Sequence, residues 1–259
     1  MKDLIEDYHL HASSIDGART YIDYLSRIAE EHGKEFKISF SQHDSFDFYH
    51  NFPLIDYGES LNIEIIPSIT FVSKEGIESI IINPKENALK LLSYRIKKQC
   101  NRICNILYRL MDMKIYITPK KLLQSIGRSN MEDLYIIKDV DILNIMVEEE
   151  IEGCETIDSA NSNYLSRANL KKLYPSFEEI INYLSDEDVS KPENLYIATP
   201  TLYLEYMQFL KDSQLRDLYN KCKQIKGIII DPSKMVCELE DFFTSNEKEI
   251  KFGTGRTVD

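Results

Sequence analysis

The chain has 259 residues, and its 43 Asp or Glu against 31 Lys or Arg give a formal net charge of −12 at pH 7. A hydrophobic fraction of 43%, including 16 Tyr and 11 Phe, is enough for a large core and excludes disordered and collagen-like chains. The acidic balance also disfavours non-specific binding to duplex DNA, which needs clustered Lys and Arg.

The N-terminus and the cysteine usage favour a cytoplasmic location. The opening MKDLIEDYHL carries acids where a secretory signal has a basic and then an apolar run, and no window approaches about 18 uncharged apolar residues. The five cysteines are odd in number and scattered, which fits reduced thiols better than a disulfide framework. We therefore expect a cytoplasmic chain without a membrane segment.

Short apolar runs alternate with an amphipathic helix in the first third of the chain. The spacing of apolar residues predicts a helix over 18–32, which Gly33 ends. Predicted strands precede and follow this helix, at 3–11, 37–40, 63–67, 69–72 and 77–82. This rhythm is typical of a β-α-β arrangement.

The pattern changes after Pro84. Apolar residues then recur every three or four positions over 86–113, which predicts one long helix with a basic character from Arg95, Lys97, Lys98, Arg102 and Arg109. Shorter helices are predicted from Thr118, over 138–148 and over 176–184. We interpret residues 86–185 as a mainly helical insertion.

Strand patterns return in the last part of the chain. Strands are predicted at 194–199, 227–230 and 249–252, and helices at 202–223 and 233–243. A set of parallel strands with polar residues at their ends is typical of a barrel-like α/β fold. We therefore predict a distorted α/β barrel formed by residues 1–85 and 186–259, with its site at the carboxyl edge of the strands.

Histidines follow two of the predicted strands. His9 and His11 are two residues apart at the end of the first strand, so both side chains point to one face, where two imidazoles can bind one metal ion. Asp16 follows in the next loop, and His43 lies at the end of the second strand. A lone histidine is usually a surface or capping residue, but this combination favours a metal site.

These residues resemble a known family. The segment DYHLHASSIDG (7–17) is similar to the opening motif of the PHP (polymerase and histidinol phosphatase) superfamily, usually written D-x-H-x-H-[ST]-x-x-S-D-G. Later segments follow the order of the family's other motifs: SQHD (41–44), IPSIT (66–70), IATP (197–200), GIII (227–230) and FGTGRT (252–257). The order and spacing resemble the branch of small phosphoesterases that acts on nucleotides and RNA 5′ ends. The resemblance implies a PHP-type (β/α)7-like barrel with a metal site.

Several metal-ligand positions of this family carry other residue types here. The bridging Glu of the third motif is Thr70, the second-motif Asp is Gln42, the A-H-P histidine is Thr199, and the closing Asp and His are Gly255 and Thr257. Thr and Gly cannot replace anionic ligands, and two-metal phosphoester cleavage normally needs ions about 3.5–4 Å apart with a shared carboxylate.

Four family ligands remain. The resemblance implies that His9 and His11 belong to one metal position, and Asp16 and His43 to another. Rebuilding a multinuclear site would require substitutes, for which the candidates are Asp44, Asp47, His50 and Glu78. We therefore expect up to one or two weakly held zinc or manganese ions, and a site without metal is an equal alternative.

Two functions stay open at this point. The ligand losses favour a degenerate PHP-like domain, a pseudoenzyme that acts as a regulatory or protein-interaction module through a partner protein or fused domain. The alternative is a metal-dependent phosphoesterase or nuclease that hydrolyses nucleotide or nucleic-acid phosphoesters, with His9, His11, Asp16 and His43 as metal ligands. In either case the basic helix of the insertion is a candidate surface for a nucleotide or nucleic acid.

Overall fold

The computed structural model describes residues 3–12, 14–43, 45–50, 53–74, 76–168, 174–184, 194–198, 225–231 and 249–258. The chain divides into two compact units, one formed by Met1–Leu92 with Tyr174–Asp259 and the other by Ser93–Leu173. The two helices predicted over 202–223 and 233–243 lie outside the described residues. None of the described helices combines the length and apolar character needed to cross a membrane.

The first unit contains one mixed sheet. Its described strands are β1 Leu4–Ala12, β2 Glu35–His43, β3 Ile63–Ile65, β4 Ser68–Val72, β5 Glu78–Ile82, β6 Asn194–Ala198, β7 Ile225–Ile230, β8 Glu249–Phe252 and β9 Arg256–Val258. They follow the order β8-β7-β6-β5-β4-β2-β1-β9, with β3 beside β2. The sheet curls, so that β8 also contacts β1, and this architecture is compatible with a distorted barrel.

One strand runs against the others. Among the described strands, every pairing is parallel except those of β5, which is antiparallel to β4 and to β6. The sequence pattern predicted a parallel set, and the difference has a physical cause. Only residues 73–77 connect β4 to β5, and a parallel crossover needs about a dozen residues or more. A turn closes this connection, with the Ile77 carbonyl accepting from the Ser73 amide at 2.9 Å.

Helix α1 (Ile15–His32) begins directly after β1. The Ser14 hydroxyl accepts a hydrogen bond from the Gly17 amide, and Gly33 ends the helix with a left-handed φ of 63°. One face of the helix packs Ile22 and Leu25 into the core beside β2. The unit also contains α2 Asp47–His50, α3 Leu54–Ser60 and α9 Phe177–Leu184.

The second unit is helical. Helix α4 (Glu86–Asp112) begins in the first unit, and its continuation packs into a core of buried Leu, Ile and Met side chains within Ser93–Leu173. Thr118 caps helix α5 (Pro119–Ser125), which has Pro119 in its first turn, as the sequence predicted. The remaining described helices of this unit are a 3₁₀ helix Met131–Ile136, α6 Asp139–Glu148, α7 Ile157–Ala160, a π-helical turn Asn161–Leu165 and α8 Ser166–Ala168.

Candidate metal centre

Four potential metal ligands meet at one edge of the sheet. His9 and His11 lie near the end of β1, and His43 is the last residue of β2. Glu78 is the first residue of β5, which runs in the opposite direction. Because β5 is antiparallel, its beginning lies at the same edge as the carboxyl ends of β1 and β2, and this brings the carboxylate to the histidines.

All three imidazoles face the same carboxylate oxygen. The distance from Glu78 Oε1 to the Nε2 atom is 3.2 Å for His43, 3.5 Å for His9 and 3.9 Å for His11. The ligand atoms of His9, His11 and Glu78 all lie within 4.8 Å of one another. The His11 ring also stacks on the His43 ring, with centroids 5.0 Å apart.

This geometry fits a metal ion. Two ligand atoms about 2.0–2.1 Å from a tetrahedral ion lie roughly 3.3 Å apart, close to the spacings of the cluster. His9 Nε2 and Glu78 Oε1 are buried and have no hydrogen-bond partner among the described residues. Unpaired buried polar atoms are costly, and coordination of an ion would satisfy both of them. Two imidazoles and one carboxylate are also a donor set that catalytic zinc sites use.

The backbone orients His11. Its Nδ1 atom lies 2.8 Å from the Ser41 carbonyl oxygen, which can only accept, so Nδ1 carries the proton. The Nε2 lone pair therefore points towards Glu78. Burial, with the nearby His9 and His43 rings, lowers the pKa of His11 to about 4 despite the opposing Glu78 charge. The imidazole is thus neutral at pH 7, as metal ligation requires.

Glu78 stays ionised although it is buried. Its side chain is only 8% exposed, and burial alone would raise its pKa. Interactions with the neighbouring imidazoles, of which His9 contributes most, outweigh burial and hold the pKa of Glu78 below its ordinary value. The site therefore offers a buried negative charge next to three nitrogen ligands.

A short loop from the end of the chain covers His9. The Gly255 amide donates to the His9 carbonyl at 2.7 Å, and Gly253 approaches so closely that a Cβ there would lie 2.5 Å from the His9 Cβ. Asp7 fixes this loop, because its carboxylate accepts from the Thr254 amide and hydroxyl and from the His9 amide. Glycine at 253 is thus a packing requirement of the site.

The structure brings together three of the four predicted ligands. His9, His11 and His43 converge, whereas Asp16 lies exposed in the first turn of α1 and is not part of the ligand cluster. Glu78, named from the sequence only as a substitute ligand, is central to the cluster. The sequence feature that indicated Glu78 was a charged residue at the start of a mainly apolar strand, in the segment IESIII (77–82).

The structure describes some of the residues that the sequence resemblance aligned with further metal ligands. Thr70 pairs with His43 in the register of β2 and β4, and its buried hydroxyl has no partner among the described residues. Thr257 pairs with His11 in the register of β1 and β9. Gln42 accepts a hydrogen bond from the Phe48 amide, so it stabilises the turn after β2. Asp44 and Thr199 lie outside the described residues.

Comparison with known proteins shows similarity in fold but not in sequence. No protein-family model matches the chain, and no curated protein matches its sequence. A structure from Bifidobacterium adolescentis, assigned as a metal-dependent phosphoesterase, aligns over 98% of this chain and 87% of its own with a TM-score of 0.60 and 15% identity. An amidohydrolase from Chromobacterium violaceum, solved with bound sulfate and no metal, aligns over 96% and 86% with a TM-score of 0.54 and 12% identity. The chain thus has a fold similar to those of these two proteins.

Proposed function

We propose that this chain is a metal-dependent hydrolase of phosphoric esters with a PHP-type fold, in which His9, His11 and Glu78 hold one zinc or manganese ion. The observation that carries the proposal is the convergence of three Nε2 atoms on one buried carboxylate oxygen. The fold shared with a structure assigned as a metal-dependent phosphoesterase supports the reaction class. A bound ion would supply Lewis-acid polarisation of a phosphoryl oxygen.

In this proposal, the residues around the ion have different roles in charge balance, ligand orientation and proton transfer. Glu78 contributes the negative charge that offsets a cation, and the Ser41 carbonyl keeps His11 in the tautomer that ligates through Nε2. His43 has a half-exposed side chain, so it lies on the side of the cluster that an ester can reach. There it holds or moves a proton, or completes the ligand set.

A second function is favoured by the residues around the cluster. Thr70 lies beside His43 where the resemblance places a bridging Glu, and Gly255 contacts His9 where it places an Asp. Two-metal sites usually combine a carboxylate shared by both ions with further anionic ligands, and this cluster offers one carboxylate among the described residues. The second candidate is therefore a pseudoenzyme, in which the PHP-like domain acts on a protein partner or a fused domain.

Metal content and ester hydrolysis together test the proposal. The purified protein is dialysed, its zinc and manganese are measured by elemental mass spectrometry, and hydrolysis of a nitrophenyl phosphodiester is followed with each metal added. The test variant is His9→Ala/His11→Ala, and the matched control is His32→Ala, which changes an exposed histidine at the end of α1.

We expect about one equivalent of metal and metal-dependent hydrolysis in the wild type and in the His32 variant, and neither in the double variant. Stoichiometric metal without hydrolysis of phosphoric esters would favour the pseudoenzyme. No metal in any of the three proteins would contradict the proposed site itself. Two equivalents would show that further ligands complete a second position.

A further inference from the structure

Charge is strongly segregated within the helical unit. Residues 93–128 contain nine Lys or Arg and one acid, Asp112, in a chain whose formal net charge is −12. The next thirty residues, 129–158, contain ten acids and only Lys138 as a basic residue. The helical unit thus has one strongly basic segment, which begins in α4, and one strongly acidic segment.

Part of this basic segment is neutralised within the unit. Arg102 pairs with both carboxylate oxygens of Asp139, at 2.8 and 3.0 Å, and Lys121 pairs with Glu149. Other cations of the segment remain exposed to solvent, namely Lys97, Lys98, Arg109, Lys114, Lys120 and Arg128. The exposed charge is therefore concentrated on α4 and on the residues that follow it.

Eight exposed residues of α4 within the helical unit form a stripe along one side of the helix, in which Asp112 is the one acidic residue. At 100° per residue they fall within about 120° of the helix circumference: Tyr94, Lys97, Lys98, Asn101, Asn105, Tyr108, Arg109 and Asp112. We call this stripe the basic–aromatic face. The opposite side of the helix carries Ile103, Ile106 and Leu110, which are fully buried in the core of the same unit.

Large aromatic rings lie exposed among these charges. Tyr108 is 64% exposed on the basic–aromatic face, and Tyr116, just beyond the end of α4, is 70% exposed. Lys98 lies over the Tyr94 ring, 4.5 Å from its centroid. Cations bind phosphates, exposed rings stack on bases, and Asn side chains both donate and accept hydrogen bonds. Such a combination fits a single strand, whose bases are free to stack, better than a duplex.

We propose that the basic–aromatic face of α4 binds single-stranded nucleic acid. From Tyr94 to Arg109 the face is about 22 Å long, the length of roughly six or seven stacked nucleotides. Lys97, Lys98 and Arg109 contact the phosphates, and Tyr108 stacks on a base. This inference goes beyond the proposed hydrolysis and is independent of it, because it concerns binding to a surface of the helical unit.

Fluorescence anisotropy with a labelled 12-nucleotide single strand, recorded in a chelator, tests the proposal without any contribution from hydrolysis. The test variant is Lys97→Gln/Lys98→Gln/Arg109→Gln. The matched control is Arg27→Gln/Lys34→Gln/Lys74→Gln, which removes the same charge from the other unit. A separate Tyr108→Ala variant tests stacking.

We expect the test variant to bind at least tenfold more weakly than the control at 50 mM salt. Its plot of log affinity against log salt should be flatter by about 2, since each single-strand phosphate contact contributes about 0.7 to the slope. Tyr108→Ala should weaken binding by roughly 5- to 100-fold without changing the slope.

Three outcomes would overturn the proposal. One is no binding of the single strand, and another is equal loss of binding in the test and control variants. The third is a preference for duplex DNA, or for vesicles containing anionic phospholipid, with Tyr108→Ala unchanged, because that would identify a general anionic surface as the partner. Circular dichroism of each variant confirms that the helices are retained.

Discussion

At the residue scale, metal binding should depend most on Glu78, because it is the only carboxylate in the candidate ligand cluster of the described residues. Glu78→Gln keeps the size of the side chain and removes its charge. We expect the affinity for zinc to fall at least 100-fold, because three neutral imidazoles alone would have to hold a doubly charged ion. Isothermal titration with zinc measures this loss. Glu31→Gln, at an exposed position on α1, is the control and should bind as the wild type does.

Acid should destabilise the metal-free protein through His11. Its pKa is about 4 in the folded chain and about 6.5 when unfolded, so the unfolded state binds more protons between these values. The free energy of unfolding therefore falls as pH drops from 6.5 towards 4, by up to about 3 kcal/mol. Lowering of the Glu78 pKa acts in the same direction at the acidic end of this range.

Urea unfolding at several pH values, with a chelator present, measures this dependence. His11→Gln should flatten the curve between pH 6.5 and 4.5, while His32→Ala, which changes an exposed histidine, should leave it as it is. An unchanged slope in His11→Gln would show that other groups cause the acid sensitivity.

Much of this site could be predicted from individual residues. The two-residue spacing of His9 and His11 indicated a shared face, and the structure shows both rings beside Glu78. Asp16 resembled a ligand in the sequence, but the turn from β1 into α1 leaves it exposed. The convergence on Glu78 could not be derived from spacing alone, because it depends on the direction of β5.

The sequence patterns of the secondary-structure elements explain why the antiparallel direction of β5 was not predicted. The positions of β1 to β8 followed from apolar runs, and the end of α1 at Gly33 followed from periodicity, whereas α2, α3 and β9 were not predicted. An apolar strand such as β5 looks the same in either direction, since burial on both faces removes any alternation. The feature of the sequence that indicates an antiparallel β5 is the five-residue connection between β4 and β5, which is too short for a parallel crossover.

The closing loop gives a test at the element scale. Gly253→Ala would place a Cβ 2.5 Å from the His9 Cβ and 2.8 Å from the His9 amide nitrogen, so β1 or the loop must shift. We expect a loss of about 1–3 kcal/mol in stability and a weaker affinity for metal, because His9 moves with its backbone.

The control for this change is Gly127→Ala. That glycine has a positive φ, 71°, but a Cβ there meets no atom within 4 Å, and it lies in the other unit. It should lose stability through backbone strain and keep its metal affinity. Equal metal affinity in both variants would show that the loop does not position His9.

At the scale of the whole molecule, a metal ion bound at the proposed site would act as a crosslink between distant parts of the chain. His9, His43 and Glu78 come from three strands, and the loop over His9 comes from the end of the sequence. None of these residues is held near the others in an unfolded chain, so the ion binds the folded state selectively. Metal binding should therefore stabilise the fold.

Thermal unfolding measures this coupling. At a free zinc concentration 100 times the Kd, binding adds about 2.7 kcal/mol to the free energy of unfolding. For a domain of this size that corresponds to a rise in Tm of roughly 5–10 °C. The rise should be reversed by a chelator and absent in His9→Ala/His11→Ala. A rise of the same size in the double variant would place the bound ion elsewhere in the molecule, since both imidazoles belong to the only ligand cluster among the described residues.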